Sequence, residues 1–306
     1  MKSVVVNALS ALIDAHFPDE PLNGLLRAAV KLKQEERSIW GELTDTAYRM
    51  FGGASERIAH RTAVAELVLL ALDIVDDLQD EDNVNAVWMQ SPRALALNAV
   101  LALYALAAVE LAAGEGRGAE ALASFGRMLA ESVNGQQRDI DGNIGSEDEY
   151  VEMAARKSGS LYRLACMLGY TLVDPPLDPS VVSTMDELAL CAGMIAQLEN
   201  DLNDVLRFDV KSDLLGRKKT IATLFLLRGS AEEFPGLLDY YEGRMSVERF
   251  LQLQPDIAAY VSGSGCIEYT RAIQHLYREQ AEPLLARLPV SDAWRERFRE
   301  LLNLNA

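Results

Sequence analysis

The segment Glu66-Leu67-Val68-Leu69-Leu70-Ala71-Leu72-Asp73-Ile74-Val75-Asp76-Asp77-Leu78-Gln79-Asp80 decides the fold of this 306-residue chain. Its apolar run shows no alternation of period two and is too long for a strand, so it predicts a buried helix ending in carboxylates. At helical spacing Asp76 and Asp80 share a face, as do Asp77 and Asp80. Carboxylates so placed repel one another unless cations sit among them. Oxygen ligands that leave positions for water or phosphate suit Mg2+. A second acidic end, Asn200-Asp201-Leu202-Asn203-Asp204, closes another apolar run and sets Asn200 with Asp204, and Gln197 with Asp201, four apart. Two such ends facing one cavity would hold metal ions against a diphosphate. The competing readings are a solvated acidic surface and a calcium loop. The calcium loop lacks the glycine it needs between Asp76 and Asn83.

Outside these ends almost every segment is helical in pattern, and no run of alternating β-branched residues is long enough for a sheet. Helices are predicted over 4–17, 21–33, 34–50 and 55–80, with a break at Gly52-Gly53. Ser91-Pro92 is a helix start, a cap followed by proline in the first turn, for a helix reaching Ala113. Further helices are expected over 119–139, from the capping box Ser146-Glu147-Asp148-Glu149 to 172, over 180–206, and from 212 to just before Gly229. Shorter pieces follow, interrupted by Pro235, Gly243, Pro255, Gly263 and Pro289. No linker or low-complexity tract divides the chain. The expected architecture is all-α, a single domain over 1–306 built as a bundle of long helices around a central cavity.

With 49% hydrophobic residues the chain can bury a large core, and a net charge of −17 argues against a nucleic-acid groove. A diphosphate substrate remains compatible with that charge when metal ions bridge it to acidic side chains. Cys166, Cys191 and Cys266 are odd in number and sit in apolar helical patterns, which predicts reduced core thiols and a cytoplasmic protein. The run 94–109 is shorter than the ~18–20 uncharged residues of a span, so no transmembrane segment is expected. A leaving diphosphate needs positive charge as its carbon–oxygen bond breaks. The candidates are Lys157 and the pair Lys218-Lys219, all expected within apolar helices.

Together these residues resemble the trans-isoprenyl diphosphate synthases. The helix 66–77 is similar to the one before their first aspartate motif, Gly135-Gln136-Gln137-Arg138-Asp139 to their Gly-Gln-x-x-Asp step, and Lys157-Ser158-Gly159-Ser160-Leu161 to their Lys-Thr-Gly-x-Leu. Gln197 to Asp204 resembles the second aspartate motif, and Lys218-Lys219-Thr220 the lysine-threonine step after it. Five motifs in order over 55–227 make a specific signal. The resemblance implies the all-helical isoprenoid synthase fold. It implies Mg2+ on Asp76, Asp77, Asp80, Asn200, Asp201 and Asp204, and Gln136, Lys157, Lys218 and Lys219 on the diphosphate of an allylic prenyl substrate. Ala71 and Leu72 would bound a pocket for a C10 or C15 chain, in competition with an ordinary core role. Homodimerisation is implied by the same analogy.

The departures also matter. Chain-elongating synthases carry two arginines after the first motif, where this sequence has Asn85 and Ala86. Their Gly-Gly-Lys-Arg-x-Arg signature survives at most in Gly52-Gly53-Ala54-Ser55-Glu56-Arg57, and the second motif begins with Asn200. Residues 73–83, Ala86-Val87-Trp88-Met89 and Leu97-Asn98-Ala99 are similar to the ComQ-type branch, isoprenyl transferases that modify a tryptophan of the ComX quorum-sensing precursor peptide. That branch implies a tryptophan-containing peptide as acceptor. A diphosphate synthase, a terpene cyclase of the same fold and a non-catalytic helical binding protein are the other readings.

Overall fold

The computed structural model describes residues 3–36, 38–113, 117–209 and 211–305. Among them the chain is all-α, without a strand. In order come α1 (Ser3–His16), α2 (Leu22–Glu35), α3 (Trp40–Arg49), α4 (Ile58–Asp80), α5 (Arg93–Ala113), α6 (Gly118–Asp141) and α7 (Glu147–Ala154). A π-helical turn, Ala155–Gly159, leads into α8 (Ser160–Tyr170) and α9 (Pro179–Val205). The rest are α10 (Ile221–Glu233), α11 (Pro235–Tyr241), α12 (Val247–Leu251), α13 (Gln254–Gly263), α14 (Cys266–Arg287) and α15 (Asp292–Leu301).

The chain forms two compact units that alternate along the sequence. The first comprises Met1–Met128, Tyr162–Asp186 and Leu288–Leu301, the second Leu129–Leu161, Glu187–Arg287 and Leu302–Ala306. In the first unit α4 is apolar around most of its circumference, and such a helix must be enclosed. It packs on α1, α2, α3 and α5. Leu9 and Ile13 of α1, Leu26 of α2, Leu67, Leu70 and Ile74 of α4, and Leu103 and Leu106 of α5 are buried in one cluster. Each such side chain contributes roughly 1.5–3 kcal/mol on leaving water. In the second unit one cluster gathers Leu226, Leu237, Tyr240 and Phe250. Another gathers Tyr150, Met153, Met194, Leu198 and Ile221.

Three expectations are corrected. The second helix runs on to Glu35, and α3 starts only at Trp40; Arg37 between them lies outside the described residues. No helix begins at 212. The chain turns through 212–219, and α10 starts after Thr220, whose side chain and that of Thr223 cap each other's backbone amides. Ser146 does cap α7, accepting from the Glu149 amide at 3.2 Å. The Glu149 carboxylate, however, reaches back to the Gly145 amide at 2.6 Å, one residue earlier than the expected box.

α5 continues past Glu110, so it and α9 are long and apolar enough to cross a bilayer by length and composition. Roughly half of each apolar window is nonetheless buried in the fold. The inner face of α5, including Ala96, Leu103 and Leu111, is enclosed, while Leu97, Leu101 and Val109 are exposed. Cys166, Cys191 and Cys266 are free and buried, as expected.

Candidate active site

At the C-terminal end of α4 the three aspartates of the first cluster differ in environment. Asp76 and Asp80 are exposed, whereas Asp77 is 9% exposed. The Asp77 Oδ2 accepts from the Trp88 indole N–H at 2.7 Å and from the Asn83 amide at 2.9 Å. Burial pushes its carboxyl up to about 6; the Asn83 and Trp88 donors pull it down and Asp82 pushes it further up. Glu81 and Asn83 take the left-handed conformation, with φ of 53° and 49°, which ends the helix and folds the following loop back onto it. Trp88 is fully buried, so Asp77 ties that loop to the helix end. Asn85 is exposed, and Ala86 is buried in the core, where an arginine side chain would find no room. Ala71 is packed in the same core, and Leu72 is half-buried.

The second cluster is assembled by a close approach of backbones. A Cβ on Gly135 of α6 would lie 2.3 Å from the Lys157 amide nitrogen, and one on Gly193 of α9 would lie 2.5 Å from the Gly159 Cα. Glycine therefore lets α6 and α9 meet the π turn that carries Lys157. Such turns occur as local bulges, frequently at functional sites. The Lys157 ammonium donates to Asp139 at 2.6 Å, and the Ser132 hydroxyl donates to the Lys157 carbonyl at 3.1 Å. Gln136 lies three positions before Asp139 on α6 and is half-buried. We expect Gly135→Ala to cost about 1–3 kcal/mol, because its new methyl meets backbone that cannot swing away. A urea melt checks this, and an unchanged midpoint would refute the close approach.

Asp201 is the buried centre of the second unit's cluster. The Gln197 side-chain amide donates to its Oδ1 at 2.9 Å, and the Tyr150 hydroxyl donates to its Oδ2. Gln197 in turn accepts from the Ser158 hydroxyl. Burial pushes the Asp201 carboxyl up to about 6; the Tyr150 and Gln197 donors lower it, Asp139 raises it and Lys157 lowers it. Asp204 is half-buried and Asn200 exposed. Burial raises Asp204, against the fields of Arg207, Lys218 and Lys211.

Lys218 and Lys219 are half-buried in the turn before α10, which corrects their expected helical placement. That turn is held by the Lys218 amide donating to the Asp213 carbonyl at 2.9 Å and by the Tyr241 hydroxyl donating to the Lys218 carbonyl at 3.0 Å.

Sequence reasoning missed Tyr150 and gave Asp213 no role in the site. Tyr150 gives no sequence signal, standing 51 positions from its partner. Asp213 is 4% exposed, and its Oδ2 has no hydrogen-bond partner. Burial and the fields of Asp201 and Asp204 hold it well above the usual carboxylate range, with Lys218 opposing. A carboxylate oxygen buried without a donor is costly. Its natural complement is a cation, so the oxygen-rich donor set fits Mg2+. Among the described residues no three His, Cys, Asp or Glu side chains are gathered into a ready metal site.

The scaffold is all-helical, with two acidic helix ends and lysines beside one of them. The chain matches the Polyprenyl synthetase family over residues 31–252 and belongs to that family of prenyl-transferring enzymes. The "Tryptophan prenyltransferase ComQ" of Bacillus spizizenii is 29% identical over 240 residues, covering 78% of this chain and 84% of that protein. The Bacillus subtilis (strain 168) protein of the same name is 26% identical over 302 residues, 96% of each chain. A polyprenyl synthase from Caulobacter crescentus CB15, solved with calcium and isoprenyl diphosphate, shares the fold with a TM-score of 0.82 at 20% identity, over 98% of this chain and 93% of its own.

Proposed function

We propose that this prenyltransferase ionises an allylic prenyl diphosphate with Mg2+ held by its acidic helix ends. Asp76, Asp77 and Asp80 supply carboxylates from α4. Asp201 and Asp204, with Asn200, supply them from α9. Lys157, Lys218, Lys219 and Gln136 hold the diphosphate, and Ala71 and Leu72 flank the prenyl chain. Bound there, Mg2+ would neutralise the charge that builds on the leaving diphosphate. Tyr150 and Gln197 hold Asp201 in place, and Asp77 anchors the loop that follows the first motif. The observation that supports this best is the unpartnered, buried Asp213 oxygen beside Asp201 and Asp204.

Two acceptors compete. The solved relatives are synthases, which favours isopentenyl diphosphate and chain elongation. Three curated relatives are tryptophan prenyltransferases and two are diphosphate synthases, and the missing arginines at Asn85 and Ala86 favour a tryptophan side chain of a precursor peptide. Incubation with geranyl or farnesyl diphosphate, Mg2+ and isopentenyl diphosphate decides. Efficient elongation would establish the synthase reading and remove the peptide one.

The dimer implied by the resemblance would cover the exposed Leu97, Leu101 and Val109 of α5. Leu101→Glu should then yield a monomer by light scattering; an unchanged mass would place the dimer surface elsewhere.

A further inference from the structure

Within the second unit, α14 sets a buried polar seam against α9. Gln274 of α14 is 3% exposed, and its side-chain amide donates to the Ile195 carbonyl and to the Glu199 Oε2, each at 3.0 Å. Both amide hydrogens are thereby used on α9. The Gln274 Oε1 accepts from the Arg278 Nη1 at 2.9 Å. A guanidinium only donates, so Arg278 fixes which end of the amide faces α9. Arg278 is buried too, and its Nε donates to the Asn303 carbonyl at 3.4 Å. The seam therefore runs from Asn303, through two side chains of α14, to the backbone of α9.

The place that the seam grips matters. At about 3.6 residues per turn, Ile195 and Glu199 share one face of α9, and Gln197, Asp201 and Asp204 project from the opposite one. Gln274 and Arg278 make no bond to Asp201 or Asp204. That opposite face is under load, because Asp139, Asp201, Asp204 and Asp213 act on one another as like charges. Such repulsion pushes the helix end that carries them outward until a cation arrives. An apolar contact slides or rotates at little cost. A buried amide with all of its bonds made does not, because displacing it leaves donors and acceptors unpaired.

We propose that Gln274, oriented by Arg278, is a positioning residue for the second acidic end, holding α9 at the rotation in which Asp201 and Asp204 receive Mg2+ against a diphosphate. The inference rests on the metal-assisted reading above. It adds to that reading α14, which lies outside the five motifs between 55 and 227. Gln274 acts through the α9 backbone and itself holds neither metal nor substrate. Its loss should weaken Mg2+ binding and leave the affinity for the prenyl substrate unchanged once the metal is saturating. The bond to Glu199 also permits an exchange. Gln274→Glu combined with Glu199→Gln still sets one amide donor against one carboxylate across the two helices, and still offers Arg278 an acceptor.

The test titrates Mg2+ into the full chain with inorganic diphosphate and follows the rise in melting temperature. Acceptor-free release from geranyl diphosphate gives a second readout. Gln274→Met keeps the volume and removes every bond; it should raise the Mg2+ midpoint of both readouts roughly fivefold, with KM for geranyl diphosphate at saturating Mg2+ held within about twofold. Gln274→Glu turns the donor into a carboxylate facing the Ile195 carbonyl and Glu199, and should weaken Mg2+ further. Adding Glu199→Gln to it should recover most of that loss, whereas Glu199→Gln alone, still able to accept from Gln274, should leave the midpoint in place. If the Gln274 variants do not fold, Arg278→Lys carries the test: it keeps the charge without the planar fork, and a rise of roughly two- to fourfold is expected. Lowered stability with an unchanged Mg2+ midpoint, in the Gln274 variants or in Arg278→Lys, would overturn the positioning role and leave the ionisation reading standing. A wild type that shows neither a Mg2+-dependent rise nor diphosphate release would remove both.

Discussion

Asp76→Asn is expected to slow Mg2+-dependent diphosphate release from the allylic substrate by roughly 10²–10³-fold, with Asp204→Asn close behind. Both changes remove a full charge from a group meant to meet the metal at the moment charge develops. Asp76 is exposed and Asp204 half-buried, so neither loss can be ascribed to a collapsed core. Substitutions at such positions usually move stability by about 0.5 kcal/mol or less, and circular dichroism of the two variants should confirm intact helices. Raising Mg2+ should recover part of the rate in each, because affinity as well as placement is weakened. If both variants retained release within about threefold of wild type, metal-assisted ionisation by these clusters would be wrong.

The second large effect concerns pH. Burial raises the Asp201 carboxyl from 3.8 to about 6, and Asp77 is raised likewise to about 6. A carboxyl with a folded-state value above its unfolded one binds its proton more tightly in the folded chain. Its contribution is therefore fully present below the unfolded value and is lost as pH rises through about 6. The metal-free protein should be more stable at pH 5 than at pH 7. For Asp201 alone the difference is on the order of 1 kcal/mol. Cations reverse the balance by favouring the ionised form, so Mg2+ with inorganic diphosphate should raise the melting temperature more at pH 7.5 than at pH 5. Acceptor-free diphosphate release should fall on acidification through about pH 6. Asp201→Asn should flatten the slope of stability against pH. A wild-type melting temperature that fell between pH 7 and pH 5 would contradict the buried-carboxylate account.

Much of this was legible in the residues. Periodicity gave the all-α fold and placed Asp76, Asp77 and Asp80 at one helix end and Asp201 and Asp204 at another. The order of five motifs pointed to the family. Three things were hidden. The turn before α10 looked helical because Leu214 and Leu215 are apolar, but the Tyr241 and Thr223 hydroxyls donate to the Lys218 carbonyl, and the Lys218 amide to the Asp213 carbonyl, which holds its backbone in another shape. The different states of Asp76 and Asp77 depend on Trp88, eleven positions away in a loop whose path no periodicity fixes. The close approaches of Gly135 to Lys157 and of Gly193 to Gly159 exist only once α6 and α9 meet the π turn.

The bond between Trp88 and Asp77 has an optical consequence. The chain has three tryptophans, Trp40, Trp88 and Trp294, and they stand in separate places: the start of α3, the first aspartate cluster and α15. The Trp88 indole donates its N–H to a carboxylate that belongs to the proposed metal set. Its emission should therefore shift when that carboxylate changes charge or partner. A chain carrying Trp40→Phe and Trp294→Phe would retain Trp88 alone, an intrinsic fluorophore wired to the first acidic helix end.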